Sequence, residues 1–183
     1  GEAGTPPLEL GQLAFALGEV RRLKGERLVF VPVPADFGAA LEARCTALLD
    51  AQNAYTDAMR SLDAHWSAMS GYRIGQLYAR LYDDVMAVPT PPEATTERQR
   101  QLWEAAMRLR YRILLEKGLA MMEGTLRLAE RTGERSAWIE RAEQAQGQLV
   151  AKLADEKSRL AAMPFGEGEV RAALEQLQGK KLP

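Results

Sequence analysis

Histidine occurs once in the chain, as His65 beside Trp66, and cysteine once, as Cys45. Proton transfer and zinc ligation draw mainly on histidines, thiolates and paired carboxylates held at fixed spacing, so a lone imidazole supports neither. His65 falls where a helix should start and reads as an exposed or capping residue. Cys45 has no partner for an internal disulfide, and its spacing from Leu48, Leu49 and Tyr55 puts it on an apolar helix face where a thiol packs. Carboxylates are plentiful, but pairs such as Glu123 with Arg127 and Asp155 with Arg159 stand four residues apart, the spacing of solvated helical ion pairs. Walker A, GxSxG, HExxH and CxxC sequences are all missing. No catalytic residue, metal site or cofactor is therefore expected, and the chain reads as a non-enzyme.

Two groups of side chains suit binding better than catalysis. Tyr72, Tyr78 and Tyr82, spaced six and four apart, could line a concave groove with Trp66 and Arg73 and receive a peptide or helix. Packing between stacked helices accounts for the same tyrosines, and both readings stay open. A basic run, Arg98, Arg100, Arg108, Arg110 and Arg112, suits an acidic partner or phosphate groups. Glu97, Glu104 and Glu116 intersperse it, so it is also compatible with an ordinary solvated face, on which replacing Arg108 and Arg112 together by glutamate should leave the fold intact. Overall, 24 basic and 25 acidic residues nearly cancel, which argues against nucleic acid or anionic lipid as the main partner. No apolar run approaches membrane-spanning length and no signal peptide is visible. Because the first residue is Gly1, a fragment or mature segment is expected, and the missing targeting segment carries no weight.

Helices must position these groups. Pro6 and Pro7 open a first helix to about Lys24, with Gly25 as its C-terminal cap. Residues 27–34, rich in valine and interrupted by Pro32 and Pro34, form an extended connector or a short edge strand. A second helix, 37–62, follows Asp36 and buries Leu41, Cys45, Leu48, Tyr55, Met59 and Leu62. Asp63 caps a third, 64–87, whose apolar residues wrap more than one face, as in a helix sandwiched between neighbours. After the prolines at 89, 91 and 92, Thr96 and Gln99 make a capping box for a helix reaching Thr132 and Gly133. At about 36 residues it is about 54 Å long, and so should bend near Gly118 or project. A further helix, 134–162, and a short one, 169–178, complete an all-α single domain spanning 1–183, with 1–6 and 179–183 expected to fray.

Ser67, Gly71, Gly75 and Ala79 form a row of small side chains four apart on one face of the third helix. Each glycine inside a helix costs roughly 1 kcal/mol against alanine, which points to a close neighbouring helix or, on the alternative reading, to a kink. The charged Arg73, Arg80, Asp83 and Asp84 exclude a lipid-buried use of the row. Spacing also repeats. Gly71-x2-Ile74-Gly75-x2-Tyr78 fits the first-helix pattern of a tetratricopeptide repeat at its last three positions, and Ala14-x2-Leu17-Gly18 at two; Trp138-x2-Arg141-Ala142 is a weaker copy. The partner-helix pattern recurs as Ala51, Tyr55, Ala58 and as Gly118, Met122, Thr125. Gly75 to Ala142 and Ala51 to Gly118 are both 67 positions, 142 − 75 and 118 − 51, roughly twice a standard repeat of about 34. Helix-packing roles are accordingly expected for Gly18, Ala51, Tyr55, Ser67, Gly71, Gly75, Ala79 and Gly118.

Taken together, Tyr72-Arg-Ile-Gly-Gln-Leu-Tyr78, Val88-Pro-Thr-Pro-Pro92, Glu116-Lys-Gly-Leu119 ahead of Leu126-x2-Ala129, and Ser136-Ala-Trp138 resemble tetratricopeptide-like proteins of deltaproteobacteria, especially myxobacteria. The resemblance covers about residues 13–149. It departs at Arg110-Tyr-Arg112, where a more acidic, proline-bearing stretch is expected, and in having no lipidated N-terminal cysteine. It implies an antiparallel helical repeat of five to six helices acting as a scaffold or adaptor in a cell-envelope or gliding-motility assembly, periplasmic or associated with the outer membrane, with a cytoplasmic site as the alternative. The partner implied is another protein. Self-association through the long helix and small-ligand binding between helices are the competing readings, the first testable by a concentration-dependent mass.

Overall fold

The computed structural model describes residues 8–179. Six α-helices follow one another: α1 (Leu8–Glu26), α2 (Phe37–Met59), α3 (Ala64–Met86), α4 (Glu97–Thr132), α5 (Ala137–Ala162) and α6 (Glu167–Gly179). No strand forms among the described residues, so residues 27–34 are a connector and not an edge strand. Phe30 anchors that connector, buried with its ring 5.3 Å from Phe37. Pro6 and Pro7 lie outside the described residues, as does the expected fraying of 1–6 and 180–183; residue 179 still belongs to α6.

Local chemistry sets the helix ends. Asp36 and Asp63 each accept the amide of the third residue on, Ala39 and Trp66, at 2.9 Å, satisfying donors the first turn leaves free. Thr96 and Gln99 exchange the two bonds of a capping box at 3.2 and 3.0 Å. Gly133 closes α4 in the left-handed region at φ 74°, its amide bonded to the Ala129 carbonyl at 2.8 Å. At the end of α2 the expected extension to Leu62 fails. The helix stops at Met59, and Leu62 turns out into solvent at φ 61°, a conformation costly for a branched side chain.

From α1 to α5 each helix packs on the next, and in addition α1 touches α3, α3 touches α5 and α4 touches α6, whereas α2 and α4 make no such contact. Small residues make the pairings close. On α1, Gly11, Gly18 and Gly25 recur every seven residues, and a Cβ on each would meet Ser61 just after α2, and Tyr55 and Ala47 of α2, at 2.7, 2.6 and 3.0 Å. Gly25 is thus a buried packing position inside the helix and not its cap. Arg44, itself buried, donates to the Gly25 carbonyl at 2.6 Å and to Asp84 at 2.9 Å, tying α2 to α1 and α3. Between α3 and α4 the backbones themselves approach: a Cβ on Gly75 would lie 2.7 Å from Met122 Cε and 3.1 Å from the Gly118 carbonyl, and one on Gly118 would lie 3.1 Å from the Gly75 carbonyl. Gly71 faces Thr125, and Ser67 is buried with its hydroxyl 3.4 Å from the Met59 carbonyl. The glycines of α3 therefore mark a helix interface and not a kink.

Helix α4 runs unbroken through Gly118. It stays covered: α5 returns along it, with Leu149 3.6 Å from a Cβ at Gly118 and Glu156 paired to Arg108, and α6 reaches its start, where Arg98 meets Glu169 at 2.7 Å. The expected bend or projection is therefore replaced by a long spine. No helix among the described residues is long and apolar enough to cross a membrane.

A candidate binding groove along the first, third and fifth helices

The odd-numbered helices share one face, and aromatic side chains gather on it. Phe15 of α1 is buried and sits at ring distances of 5.5 Å from Trp66 and 6.3 Å from Trp138; Tyr72 lies 5.6 Å from Trp138. Trp66, Tyr72 and Trp138 are half-buried, so their rings are fixed by neighbours while one side meets solvent. Contacts of this kind contribute about 1 kcal/mol each beyond area burial, enough to order a ring without hiding it. Two guanidinium groups lie over Trp138, Arg73 at 5.1 Å and Arg141 at 4.7 Å.

Beneath this ledge a polar cluster joins three helices. Glu19 of α1 accepts the Tyr55 hydroxyl from α2, and it is met by Arg22 at 3.1 Å and by the Arg73 Nε of α3 at 2.8 Å. Burial by itself would raise the Glu19 carboxyl, but the Arg22 and Tyr55 hydrogen bonds and the charges of Arg73 and Arg22 outweigh it, and the group lies below the usual carboxylate range. Burial, reinforced by the Glu19 hydrogen bond, pushes the Tyr55 phenol well above its ordinary value. The phenol is a neutral donor and Glu19 an ionised acceptor, a combination that ties α1 to α2, while the Arg73 pair ties α1 to α3.

From the ledge the shared face continues into a cleft of about 330 Å³, walled by Arg22 and Glu26 of α1, Gln76 and Arg80 of α3, and Gln148 and Lys152 of α5. The mixed charges suit a polypeptide segment better than an apolar small molecule. A larger hollow of about 1010 Å³ lies on the outside, between the end of α4 and the start of α5, with Glu123, Glu130, Glu134 and Glu143 among its walls. It is broad and hydrophilic, with no aromatic anchor.

The expected binding residues divide. Trp66, Tyr72 and Arg73 do come together. Tyr78 and Tyr82 do not: both are buried, Tyr78 donating to Gln52, and burial together with the nearby Glu156 carboxylate raises the Tyr82 phenol far above the ordinary value. Tyr78 sits between Gln52 of α2 and Lys117 of α4, and Tyr82 lies under Lys152 of α5, so both belong to the core. The basic run also dissolves as a free surface. Arg98 pairs with Glu169 and lies over Phe165, Arg100 pairs with Glu97, Arg112 with Glu116, and Arg110 lies over Tyr111. Arg108 is held by Glu104 and by the buried Glu156, so it clamps α4 to α5, and its replacement by glutamate should weaken the fold and not leave it untouched. Ala51 and Tyr55 are fully buried between α1 and α2, while Ala79 is only half-buried and borders the cleft.

Sequence reasoning missed Phe15, Glu19, Arg22 and Arg141 as groove residues and saw Trp138 only as a repeat position. The repeat equivalence of Trp138 with Gly71 gave no signal for it, since Gly71 faces Thr125 of α4 while Trp138 packs on Phe15 and Tyr72. His65 is exposed, its Nδ1 3.2 Å from Glu134. Among the described residues no group of three or more histidine, cysteine, aspartate or glutamate side chains could hold a metal ion. Comparison with protein-family models, with curated proteins and with solved structures gave no match to this chain.

Proposed function

We propose that the chain is a non-enzymatic, tetratricopeptide-like interaction module that receives a segment of another protein in the groove formed by α1, α3 and α5, as a scaffold or adaptor in a cell-envelope assembly. The observation that carries this reading is the half-buried aromatic ledge of Trp66, Tyr72 and Trp138, flanked by Arg73 and Arg141, on the face the odd helices share. Rigid aromatics beside arginines are the side chains that dominate binding energy at protein interfaces. The contact order supports the same reading, because odd helices touching one another while α2 and α4 do not is how stacked helix pairs curve to leave an inner face. Envelope location rests on the family resemblance of the Tyr72–Tyr78 and Val88–Pro92 segments. An aromatic or aliphatic side chain of the partner would lie on the ledge, with a carboxylate against Arg141.

The test is capture from a cell-envelope extract by the wild-type chain beside a Tyr72→Ala/Arg141→Glu variant of matched melting behaviour. A protein retained by the wild type and lost by the variant is expected. Retention of the same protein by both would overturn the groove as the binding face.

A further inference from the structure

Helix α1 carries two separate seams. Its glycine seam faces α2, and about 120° around the helix Leu10, Leu13, Leu17 and Val20 stand in a 3-4-3 spacing on the outside. These four and the adjacent Leu23 are between 44% and 66% exposed, on the first helix of the described stack. A helix apolar all round is normally buried, and terminal helices of stacked arrays normally carry a polar outer face. We propose that this stripe is the interface of an antiparallel homodimer, covered by α1 of a second copy.

Three observations select a second copy. The stripe is self-complementary about a two-fold axis: with the helices antiparallel, Leu10 falls opposite Val20 and Leu13 opposite Leu17, so every layer pairs a large apolar side chain with another. Charge chooses the direction. Exposed Glu9 and Lys24 bracket the stripe, and the antiparallel arrangement brings Glu9 of one copy within a helical turn of Lys24 of the other, whereas a parallel one sets like charges side by side. Size is adequate as well. The stripe exposes on the order of a few hundred Å² of apolar surface, the range that marks an interaction site. Leu49, half exposed, extends it, placed next to Arg21 by the bond from that guanidinium to the Asp50 carbonyl at 3.0 Å; Val29, Val31 and Val33 of the connector that leaves α1 add further exposed apolar surface. Together they approach the roughly 800 Å² per partner of a standard interface. The stripe faces away from the aromatic ledge, so the dimer stands or falls independently of the groove.

The full chain, examined by sedimentation equilibrium over a concentration series, should move from 20.2 kDa toward twice that mass, and Leu13→Glu/Leu17→Glu should remain monomeric with unchanged helix content and melting temperature. On a Cys45→Ser background, an oxidised mixture of Leu13→Cys and Leu17→Cys chains should give the mixed disulfide in preference to either homodimer. A single-chain mass at every concentration, a dimer that survives the double glutamate variant, or cross-linking that favours Leu13→Cys homodimers would each overturn the proposal.

Discussion

Where α1, α2 and α3 meet, Tyr55 donates to Glu19 and Arg22 and Arg73 hold the carboxylate; where α3, α4 and α5 meet, Arg108 holds Glu156 close to Tyr82. The side-chain types are identical, but the surroundings are not. Glu19 keeps 25% of its side chain in solvent at the rim of the groove, while Glu156 keeps 6%. The difference shows that one set of residue types can form either a buried clamp or the rim of an open groove, and that burial decides which. The glycine seams differ in parallel: α1 accepts the flat ring of Tyr55 against Gly18, whereas α3 and α4 bring backbone to backbone at Gly75 and Gly118.

The largest break in this comparison should come from Arg108→Glu, which leaves Glu156 buried without a counter-charge and places three carboxylates together. A loss of about 3 to 5 kcal/mol in urea melts is expected. Arg112→Glu, on a solvated pair with Glu116, should stay within about 0.5 kcal/mol and serves as the control. Gly75→Leu comes next, at about 3 kcal/mol, because the new side chain meets the Gly118 carbonyl and not only the movable end of Met122. An unchanged melt would mean that the α3–α4 approach is not close.

Gly18→Ala sharpens the contrast between the seams. Alanine gains roughly 1 kcal/mol of helix propensity, yet its Cβ would sit 2.6 Å from the ring of the fully buried Tyr55, and a net loss of about 1 to 2 kcal/mol is expected. Stabilisation would show that the ring can shift. Acid titration tests the Glu19 cluster. The folded state holds the Glu19 carboxyl below its unfolded value, so its contribution is complete above the usual carboxylate pKa of about 4.3 and is lost as pH falls through the lower folded value. Melting temperature followed from pH 7 downward should therefore fall less steeply for Glu19→Gln than for the wild type. The smallest effect is a gain: Leu62→Gly relieves a left-handed leucine that packs on little, and about 0.5 to 1 kcal/mol of added stability should appear in thermal melts.

Much of the scaffold was legible from the chain. Asp36, Asp63, Thr96 with Gln99, and Gly133 each bond within four residues of themselves, so the residues that define these helix ends are also neighbours in sequence. The row Ser67, Gly71, Gly75 and Ala79 was visible for the same reason, since an α-helix converts a spacing of four into a face. Gly25 shows where local reasoning ends. A glycine after the last charged residue of a helix fits a cap equally well, and only the proximity of Ala47, 22 positions away, makes it a packing position.

What the sequence by itself determined is thus the set of helices, most of their ends and the small residues along their seams, because those depend on contacts within a turn. Tertiary structure alone decided the rest. It sent Tyr78 and Tyr82 inward while leaving Tyr72 and Trp66 at the surface, matched Arg108 to Glu156 across 48 residues, and left the leucines of α1 without a neighbour. Those outcomes depend on which helix faces are brought together, and an aromatic or arginine side chain carries the same local signature whether its neighbour turns out to be another helix or water.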